Sequence, residues 1–216
     1  MNRDKGEHVF LSGRVSGAGA PAASGRSPLP LPTVLSETAL SNAFLGGITE
    51  VCIVTEDHRR TMAGLVGLGI GPFRVYTFDD RSLADPTYRG EASAFSLKVC
   101  FARNSGLTWE IMQPLSGRTI MREFLDAHGE GVHHLAFDCD GAPWEKRIES
   151  FAARGLEPVQ SGRWLGENSF AFFDTEATTT TCFETYHFPE GFEFPEPEEW
   201  YPAPPPTQRP ATAAGI

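Results

Sequence analysis

The sequence predicts an α+β fold in which two tandem βαβββ modules form one curved mixed sheet. The main observation is that the same order of strand-like and helix-like segments occurs twice between residues 46 and 190. Alternating apolar residues indicate strands, whereas apolar residues at helical spacing indicate helices. The second observation is that corresponding strands of the two copies carry polar side chains at similar places. Two modules related in this way are expected to curve around a common cup.

The first module is predicted to span residues 46–116. It opens with a strand at 48–54 and continues into a helix, because apolar residues recur there at helical spacing. The residues that share this helix face are Met62, Leu65 and Val66. Glycines at positions 67, 69 and 71 are expected to end the helix. Three further strands are predicted, at residues 72–78, 94–103 and 107–113.

The second module is predicted to span residues 132–190, after a linker helix within residues 117–131. It opens with a strand at 132–138, and Asp140 is the expected N-cap of its helix, with Pro143 in the first turn. The buried stripe of this helix consists of Trp144, Ile148, Phe151 and Ala152. Three strands follow in the prediction, at residues 157–163, 167–174 and 180–187.

Both ends of the chain are predicted to lie outside the folded unit. Residues 1–45 are rich in Gly, Ala, Ser and Pro, with a weakly helical stretch at 34–40, and are interpreted as a flexible arm. Residues 191–216 contain seven prolines and several glutamates. Because proline cannot donate a backbone hydrogen bond, this tail is expected to lack regular structure and to be solvated.

Composition narrows the classes of partner. The net charge of -10 provides no basic face for a phosphate backbone, so nucleic acid is not an expected partner. No apolar run approaches the roughly 20 residues that a membrane span requires, and the N-terminus lacks the apolar stretch of a secretory signal. The four cysteines are widely spaced in strand-like segments, which predicts reduced thiols and a cytoplasmic protein. A homodimer is left open.

Four polar residues stand within the apolar strand-like segments. They are Glu50, Glu110, His134 and Glu184, two from each module. Carboxylate oxygens and imidazole nitrogens are ordinary ligands of divalent transition metals. Three carboxylates that converge without a cation would repel one another and raise their own pKa values. The sequence therefore predicts a metal site in the cup with these four ligands.

The predicted ligand charge bears on the identity of the metal. Three carboxylates and a neutral imidazole give a formal charge of about -3, which favours Mn, Fe or Co, although Zn and Ni remain open. Strand alternation places Cys52 on the cup face together with Glu50. On the strand at 94–103, Leu97, Val99 and Phe101 are expected to face the helix. Lys98 would then lie in the cup.

A motif beginning at Glu110 resembles a known family. Residues 110–115, EIMQPL, are followed by FLDAHGEGVHHLAF at 124–137. This pattern resembles the vicinal oxygen chelate superfamily, which includes glyoxalases, methylmalonyl-CoA epimerases, extradiol dioxygenases and drug-sequestering proteins. The resemblance covers residues 48–188 and assigns Glu50, Glu110, His134 and Glu184 to the four ligand positions. At position 50 the epimerases usually carry histidine, so the quartet is closer to the eukaryotic glyoxalase type.

The resemblance implies three kinds of activity. The first is a divalent-metal-dependent isomerase, epimerase or lyase that acts on a carbonyl substrate through a metal-stabilised enolate, with Glu184 or Glu50 as the catalytic base. The second is an oxygenase or tailoring enzyme acting on an aromatic or polyketide-like compound. The third is a non-catalytic protein that sequesters a ligand between aromatic walls, for which Phe101, Trp109, Phe170, Phe172 and Phe173 are available. The epimerase base aligns with Lys98.

Overall fold

An eleven-stranded mixed sheet carries the fold in the computed structural model, which describes residues 44–206. Residues 1–43 of the predicted arm (residues 1–45), which include its weakly helical stretch, and residues 207–216 lie outside the described residues. The last two residues of the arm, Phe44 and Leu45, pack against the apolar cluster that contains Phe151. The strands are β1 Ile48–Val54, β2 Phe73–Phe78, β3 Leu83–Tyr88, β4 Glu91–Ala92, β5 Phe95–Asn104, β6 Leu107–Gly117, β7 Gly131–Phe137, β8 Pro158–Trp164, β9 Asn168–Phe173, β10 Cys182–His187 and β11 Glu199–Tyr201. The α-helices are α1 His58–Gly67, α2 Ile120–His128, α3 Trp144–Ala152 and α4 Glu176–Thr179.

The two halves of the chain meet at the centre of this sheet. The strand order is β11-β2-β5-β6-β1-β7-β10-β9-β8-β3-β4. Strand β1 pairs in parallel with β6 and antiparallel with β7, and β7 pairs in parallel with β10. The predicted α+β fold with a curved mixed sheet is confirmed. Strands β6, β1, β7 and β10 are consecutive in the sheet, so residues on one face of all four lie close together.

Two rows of opposed residues cross the cup face of the sheet. Residues directly opposite on paired strands share a face, and so do alternate residues of one strand. The first row is Arg74, Phe101, Glu110, Cys52, His134 and Cys182. The second row is Arg103, Thr108, Glu50, Ala136, Glu184 and Phe172. All four predicted ligands lie in these two adjacent rows.

The predicted orientation of β5 is wrong. Leu97 and Val99 belong to the apolar cluster on the cup side, whereas Cys100 packs in the cluster that contains Met62 of α1. Lys98 is therefore outside the cup, where its Nζ donates to Thr77 and to Glu198. Both faces of β5 are apolar and covered, so alternation alone does not indicate which side faces the helix. The pairing of Phe101 with Glu110 determines it.

Strand β3 was not predicted from the sequence. It belongs to the first half of the chain but pairs antiparallel with β8 of the second half. Its sequence signal is weak because it contains a proline. The strand itself is irregular, with a register shift between Ala84 and Thr87 and a φ of 51° at Asp85. Leu83 and Tyr88 at its ends are nevertheless buried. The first half of the chain thus contributes a strand to the part of the sheet that the second half forms.

The prediction that the tail lacks regular structure is wrong at residues 199–201. Strand β11 pairs antiparallel with β2 and extends the edge of the sheet. Pro197 and Pro202 lie just outside this short strand, a position that proline tolerates because no ladder hydrogen bond is lost. Before it, Phe188, Phe192 and Phe194 pack against the cup-side apolar cluster. The beginning of the tail is part of the folded unit.

Helices α1 and α3 cover the other face of the sheet, whereas α2 packs against the cup-side apolar cluster through Ile120, Met121 and Leu125. Asp57 caps α1 and Thr119 caps α2 through their side-chain oxygens. The predicted N-cap of α3 is wrong: Asp140 lies in a short turn with φ of 52°, and Pro143 precedes the helix without a side-chain cap. Phe151 of α3 stacks on Phe173 of β9, with a distance of 3.6 Å between the ring centroids.

The four cysteines are buried free thiols, as the sequence predicts. Within residues 44–206, no helix has both the length and the apolar character needed to cross a membrane.

Candidate metal centre

The four predicted ligand residues converge at the centre of the sheet. One potential ligand atom from each of Glu50, Glu110, His134 and Glu184 lies within 4.8 Å of every other. The residues come from β1, β6, β7 and β10, which are neighbours in the sheet. Their positions in two adjacent rows explain the convergence, because neighbouring strands are about 4.8 Å apart.

His134 stands between two of the carboxylates. Its Nε2 atom is 3.1 Å from Glu110 Oε2 and 3.1 Å from Glu184 Oε2. One ring nitrogen can donate only one hydrogen. The geometry assigns that hydrogen bond to Glu110, so Glu184 Oε2 is a buried oxygen without a hydrogen-bond partner among the described residues.

A divalent cation fits this arrangement. A buried unpaired carboxylate oxygen is costly, since burial removes its hydration. The potential ligand atoms of Glu184, of the other two glutamates and of His134 all lie within one small region. Oxygen and nitrogen donors in this combination suit a divalent transition metal. The donor atoms present therefore satisfy what such an ion requires.

The pKa values of Glu50, Glu184 and His134 are raised, because three carboxylates are buried close together. Burial, followed by the charges of Glu110 and Glu184, raises the pKa of Glu50 well above its ordinary value of 4.5. Burial also raises the pKa of Glu184, although His134 opposes this change. Burial lowers the pKa of His134, but its carboxylate partners outweigh that effect and raise it to about 9. Bound protons thus neutralise part of the carboxylate charge when no metal is present.

His133 lies behind the centre and contacts His134 directly. The two Nδ1 atoms are 2.8 Å apart, so one must donate to the other. If His134 Nε2 binds a metal, its Nδ1 carries the hydrogen and His133 Nδ1 accepts it. The hydrogen of His133 is then on Nε2, which is 3.7 Å from Glu176 Oε1. His133 also packs edge-on against Phe124 at 5.0 Å.

Strand alternation in the sequence predicts that His133 points away from His134 and serves as a packing residue. Its contact with Phe124 fits that role, but its contact with His134 was not predicted. Burial, the first cause, and the neighbouring histidines lower its pKa well below 6.5, so the ring is neutral. A neutral ring can accept the hydrogen bond described above. The only sequence signal for this contact is that the two histidines are adjacent.

Cys52 also faces the centre, as strand alternation predicts. Cys52, Glu110 and His134 form a second group of possible ligands. However, burial and the nearby carboxylates raise the pKa of this thiol well above 9.0. Thiolate is the form that binds metals, so the carboxylate and imidazole quartet is the stronger donor set.

A cavity of about 200 Å³ opens onto the carboxylates. Glu50, Glu110 and Glu184 form its floor. Eight aromatic residues line it, namely Phe78, Phe101, Trp164, Phe170, Phe172, Tyr186, Phe188 and Phe194. Trp164 is stacked with Phe78 at 4.7 Å and lies 5.9 Å from Phe194 of the tail. The cavity is thus an apolar chamber with an acidic end.

Three of the five aromatic residues expected in the walls are found there: Phe101, Phe170 and Phe172. Trp109 instead packs in the cluster under α1. Phe173 faces α3, where it stacks on Phe151. The sequence did not indicate Phe188 and Phe194 as wall residues, although the phenylalanines next to acidic residues at 188–194 were an available signal.

Two arginines and an asparagine in the walls were also missed. Arg74 and Arg103 line the cavity, and so does Asn168. The Nδ2 atom of Asn168 donates to Trp164 O at 3.2 Å, but its buried Oδ1 has no hydrogen-bond partner within residues 44–206. Lys98 was the basic residue predicted to lie in the cup, because the predicted orientation of β5 was reversed.

Comparison with known proteins identifies the family. The family model of the Glyoxalase/Bleomycin resistance protein/Dioxygenase superfamily matches residues 49–173. The chain belongs to this superfamily. The resemblance to the vicinal oxygen chelate superfamily is thereby confirmed. A comparison with curated proteins found no match.

The chain is also similar to solved structures, of which the first below shows the shared fold. Methylmalonyl-CoA epimerase from Mycobacterium tuberculosis has a TM-score of 0.52 and 15% identity, over 73% of this chain and 94% of the epimerase. A variant of the Streptomyces coelicolor epimerase, bound to 2-nitronate-propionyl-CoA, has a TM-score of 0.46 and 17% identity, over 70% of this chain and 99% of its own. A variant of 4-hydroxymandelate synthase from Streptomyces coelicolor has a TM-score of 0.46 and 20% identity, over 66% of this chain and 38% of its own.

Proposed function

We propose that the protein is a divalent-metal-dependent isomerase, epimerase or lyase that removes a proton next to a substrate carbonyl. The observation that carries this proposal is the convergence of Glu50, Glu110, His134 and Glu184 at the floor of an apolar cavity. The three carboxylates line the cavity, so a substrate in the cavity would reach the centre directly.

The four residues would hold the ion through three carboxylates and His134 Nε2. Their formal charge of about -3 favours Mn, Fe or Co, while Zn and Ni remain alternatives. A divalent ion at this position would stabilise negative charge that develops on a carbonyl oxygen.

Glu184 is the residue best placed to move the proton. Its Oε2 atom has no hydrogen-bond partner among the described residues, and its side chain lines the cavity. In the metal-free protein, burial raises its pKa above the ordinary value of 4.5. To act as the base in the loaded protein, this carboxylate would leave the ion, which the other three residues would continue to hold. Glu50 is the alternative base, since it also lines the cavity. The aromatic walls exclude water from the proton that is transferred.

Exchange of the α-hydrogen in D₂O tests this function. A panel of aryl ketones and aryl thioesters with an acidic α-hydrogen suits the aromatic walls. Exchange should occur with the metal-loaded protein and stop after chelation. Glu184→Gln should reduce the rate by about 10² to 10⁴, the usual contribution of a positioned base, whereas Glu50→Gln should be much milder.

The control is Glu149→Gln, on the exposed surface of α3, which should leave exchange unchanged. If Glu50→Gln is the more damaging variant, the two roles are reversed. If neither substitution alters the turnover of a compound that the wild type exchanges, proton abstraction is the wrong mechanism. Oxygen consumption with Fe(II) and an aromatic compound then becomes the decisive measurement.

The eight aromatic residues of the cavity favour a second candidate, a protein that sequesters an aromatic ligand. Such a protein would bind its ligand without metal. Elemental analysis of the purified protein separates the two functions, because only the first requires a stoichiometric divalent ion.

A further inference from the structure

The two cavity arginines lie at a defined place relative to the candidate centre. Arg74 is opposite Phe101, which is opposite Glu110. Arg103 is opposite Thr108, which is opposite Glu50. Each arginine is therefore two strands away from a carboxylate, a backbone separation of about 10 Å. The cavity has cationic side chains at one end and the candidate ligands at the other.

The arginines are also close to each other. Arg103 is two residues beyond Phe101, the partner of Arg74, so the two form a diagonal pair on antiparallel strands. Such a pair is separated by about 7–8 Å, which is within reach of long side chains. Two guanidinium groups at this spacing can contact one anion together.

Neither guanidinium is neutralised by a carboxylate in the part of the chain that the structure describes. Arg74 lies over the ring of Phe194, at 4.2 Å from its centroid. Arg103 donates to the Gly106 carbonyl oxygen at 3.3 Å. By contrast, seven other arginines of the described chain form ion pairs: Arg59, Arg60, Arg81, Arg89, Arg118, Arg122 and Arg163. Four arginines of the described chain have no carboxylate partner. Arg147 and Arg154 donate to backbone carbonyl oxygens away from the cavity, whereas Arg74 and Arg103 line it.

We propose that Arg74 and Arg103 bind a carboxylate of the substrate, which has an apolar or aromatic body between this carboxylate and the group that reaches the candidate metal centre. Guanidinium groups bind carboxylates through paired charge-assisted hydrogen bonds. The aromatic walls between the two ends fit an aryl body. This inference rests on the proposed function only for the group at the acidic end.

A matched pair of small ligands tests the anion site without turnover. The probes are 4-phenylbutyrate and its neutral counterpart 4-phenylbutyramide, measured by calorimetry on the full chain. The wild type should bind the carboxylate at least about ten-fold more tightly, the order expected when a charged hydrogen bond is gained. Arg74→Gln and Arg103→Gln should each remove most of this preference and leave amide binding within about two-fold.

Arg118→Gln is the control, because Arg118 is exposed and does not line the cavity. Its preference for the carboxylate should equal that of the wild type. Equal affinity of the wild type for the two probes overturns the inference. So does a preference that survives both cavity substitutions but disappears after chelation, because the carboxylate would then bind at the acidic end.

The two proposals fail separately. An arginine-dependent preference in a protein that contains no metal supports the anion site and removes the proposed metal-dependent function. Stoichiometric metal in a protein without the arginine-dependent preference overturns the anion site and supports the metal-dependent function.

Discussion

His134 is the residue around which the candidate centre is arranged. Its ring is completely buried, with two carboxylate oxygens at one nitrogen and His133 at the other. Such a ring has little freedom to turn away. An imidazole that is fixed in this way can hold a metal without losing further conformational entropy on binding.

Removal of ligands from both halves of the chain tests the quartet. His134→Ala and Glu184→Ala should each lower the metal content by about an order of magnitude or more, since even indirect changes near a metal commonly cost about 10–100-fold. Metal content is measured by elemental analysis and folding by circular dichroism. His187→Ala, on the same strand as Glu184 but partly exposed, should retain the metal. Stoichiometric metal in both ligand variants would show that the quartet is wrong.

His133→Phe tests the tautomer argument. Phenylalanine keeps a ring against Phe124 but cannot accept the hydrogen of His134 Nδ1. Metal affinity should fall by about 10–100-fold, the usual effect of losing a group that orients a ligand. Competition with a chelator measures the affinity, and a melting curve shows whether packing is kept. If affinity is unchanged in a folded variant, His133 is a packing residue alone.

At the residue scale, the sequence indicated the ligands better than the walls. Glu50, Glu110, His134 and Glu184 stand out because a charged or polar side chain within an apolar strand is costly and requires a partner. Arg74 and Arg103 lie on β2 and β5, and the face of each strand that lies towards the cup depends on its pairing with neighbouring strands. The pairing of β2 with β5 joins residues 27 apart in sequence, Arg74 and Phe101, and local periodicity does not encode it.

At the element scale, the beginning of the tail acts as an edge of the sheet and a wall of the cavity. Besides the β11 pairing, Arg59 contacts Glu199 through two hydrogen bonds of 3.0 and 2.5 Å, and Lys98 contacts Glu198 at 2.8 Å. Exposed ion pairs of this kind contribute little individually. The apolar contacts of Phe194 with the cup are therefore the larger stabilising contribution.

Phe194→Ala tests the role of the tail in the cavity. Loss of a partly buried ring should destabilise the fold by about 1–2 kcal/mol, less than full burial of such a side chain is worth. It should also weaken binding of an aromatic probe, because Phe194 lines the cavity. Phe192→Ala is the control, since Phe192 packs on Phe194 at 5.2 Å but does not line the cavity. Equal loss of probe affinity in both variants would contradict a specific wall function.

Two of the strands that sequence reasoning missed, β3 and β11, share a physical feature, whereas β4 is only two residues long. Both β3 and β11 have prolines within or beside them, and each lies beyond the long, strongly apolar strands of the two modules. Their structure depends on tertiary pairing rather than on local preference. The longer strands near the centre, which carry the candidate centre, were predictable because their apolar patterns are continuous.

At the scale of the whole molecule, the candidate centre joins the two halves of the chain. Glu50 and Glu110 come from the first half, and His134 and Glu184 from the second. The halves meet through the antiparallel pairing of β1 and β7. A bound ion would stabilise the state in which the halves are docked, because a ligand that binds only the folded form raises its stability.

The same coupling predicts how stability depends on pH. In the metal-free protein the pKa of His134 is raised from 6.5 to about 9, so its contribution is fully present below pH 6.5 and is lost as the pH rises through 9. The pKa values of Glu50 and Glu184 are also raised. Each of the three groups therefore holds its proton more tightly in the folded state, and the three effects have the same sign.

Thermal unfolding at pH 6.5 and pH 9 measures this dependence. After treatment with a chelator, the Tm should fall by several degrees between these values, since about 1 kcal/mol corresponds to about 2–4 °C for a chain of this size. With saturating Mn²⁺ the fall should disappear or reverse, because the ion replaces the protons and binds more tightly as they dissociate. Glu149→Gln should keep the dependence of the metal-free protein, and His134→Gln should reduce it. A metal-free Tm that is constant or rises with pH would show that the three carboxylates and His134 are not held together as the structure describes.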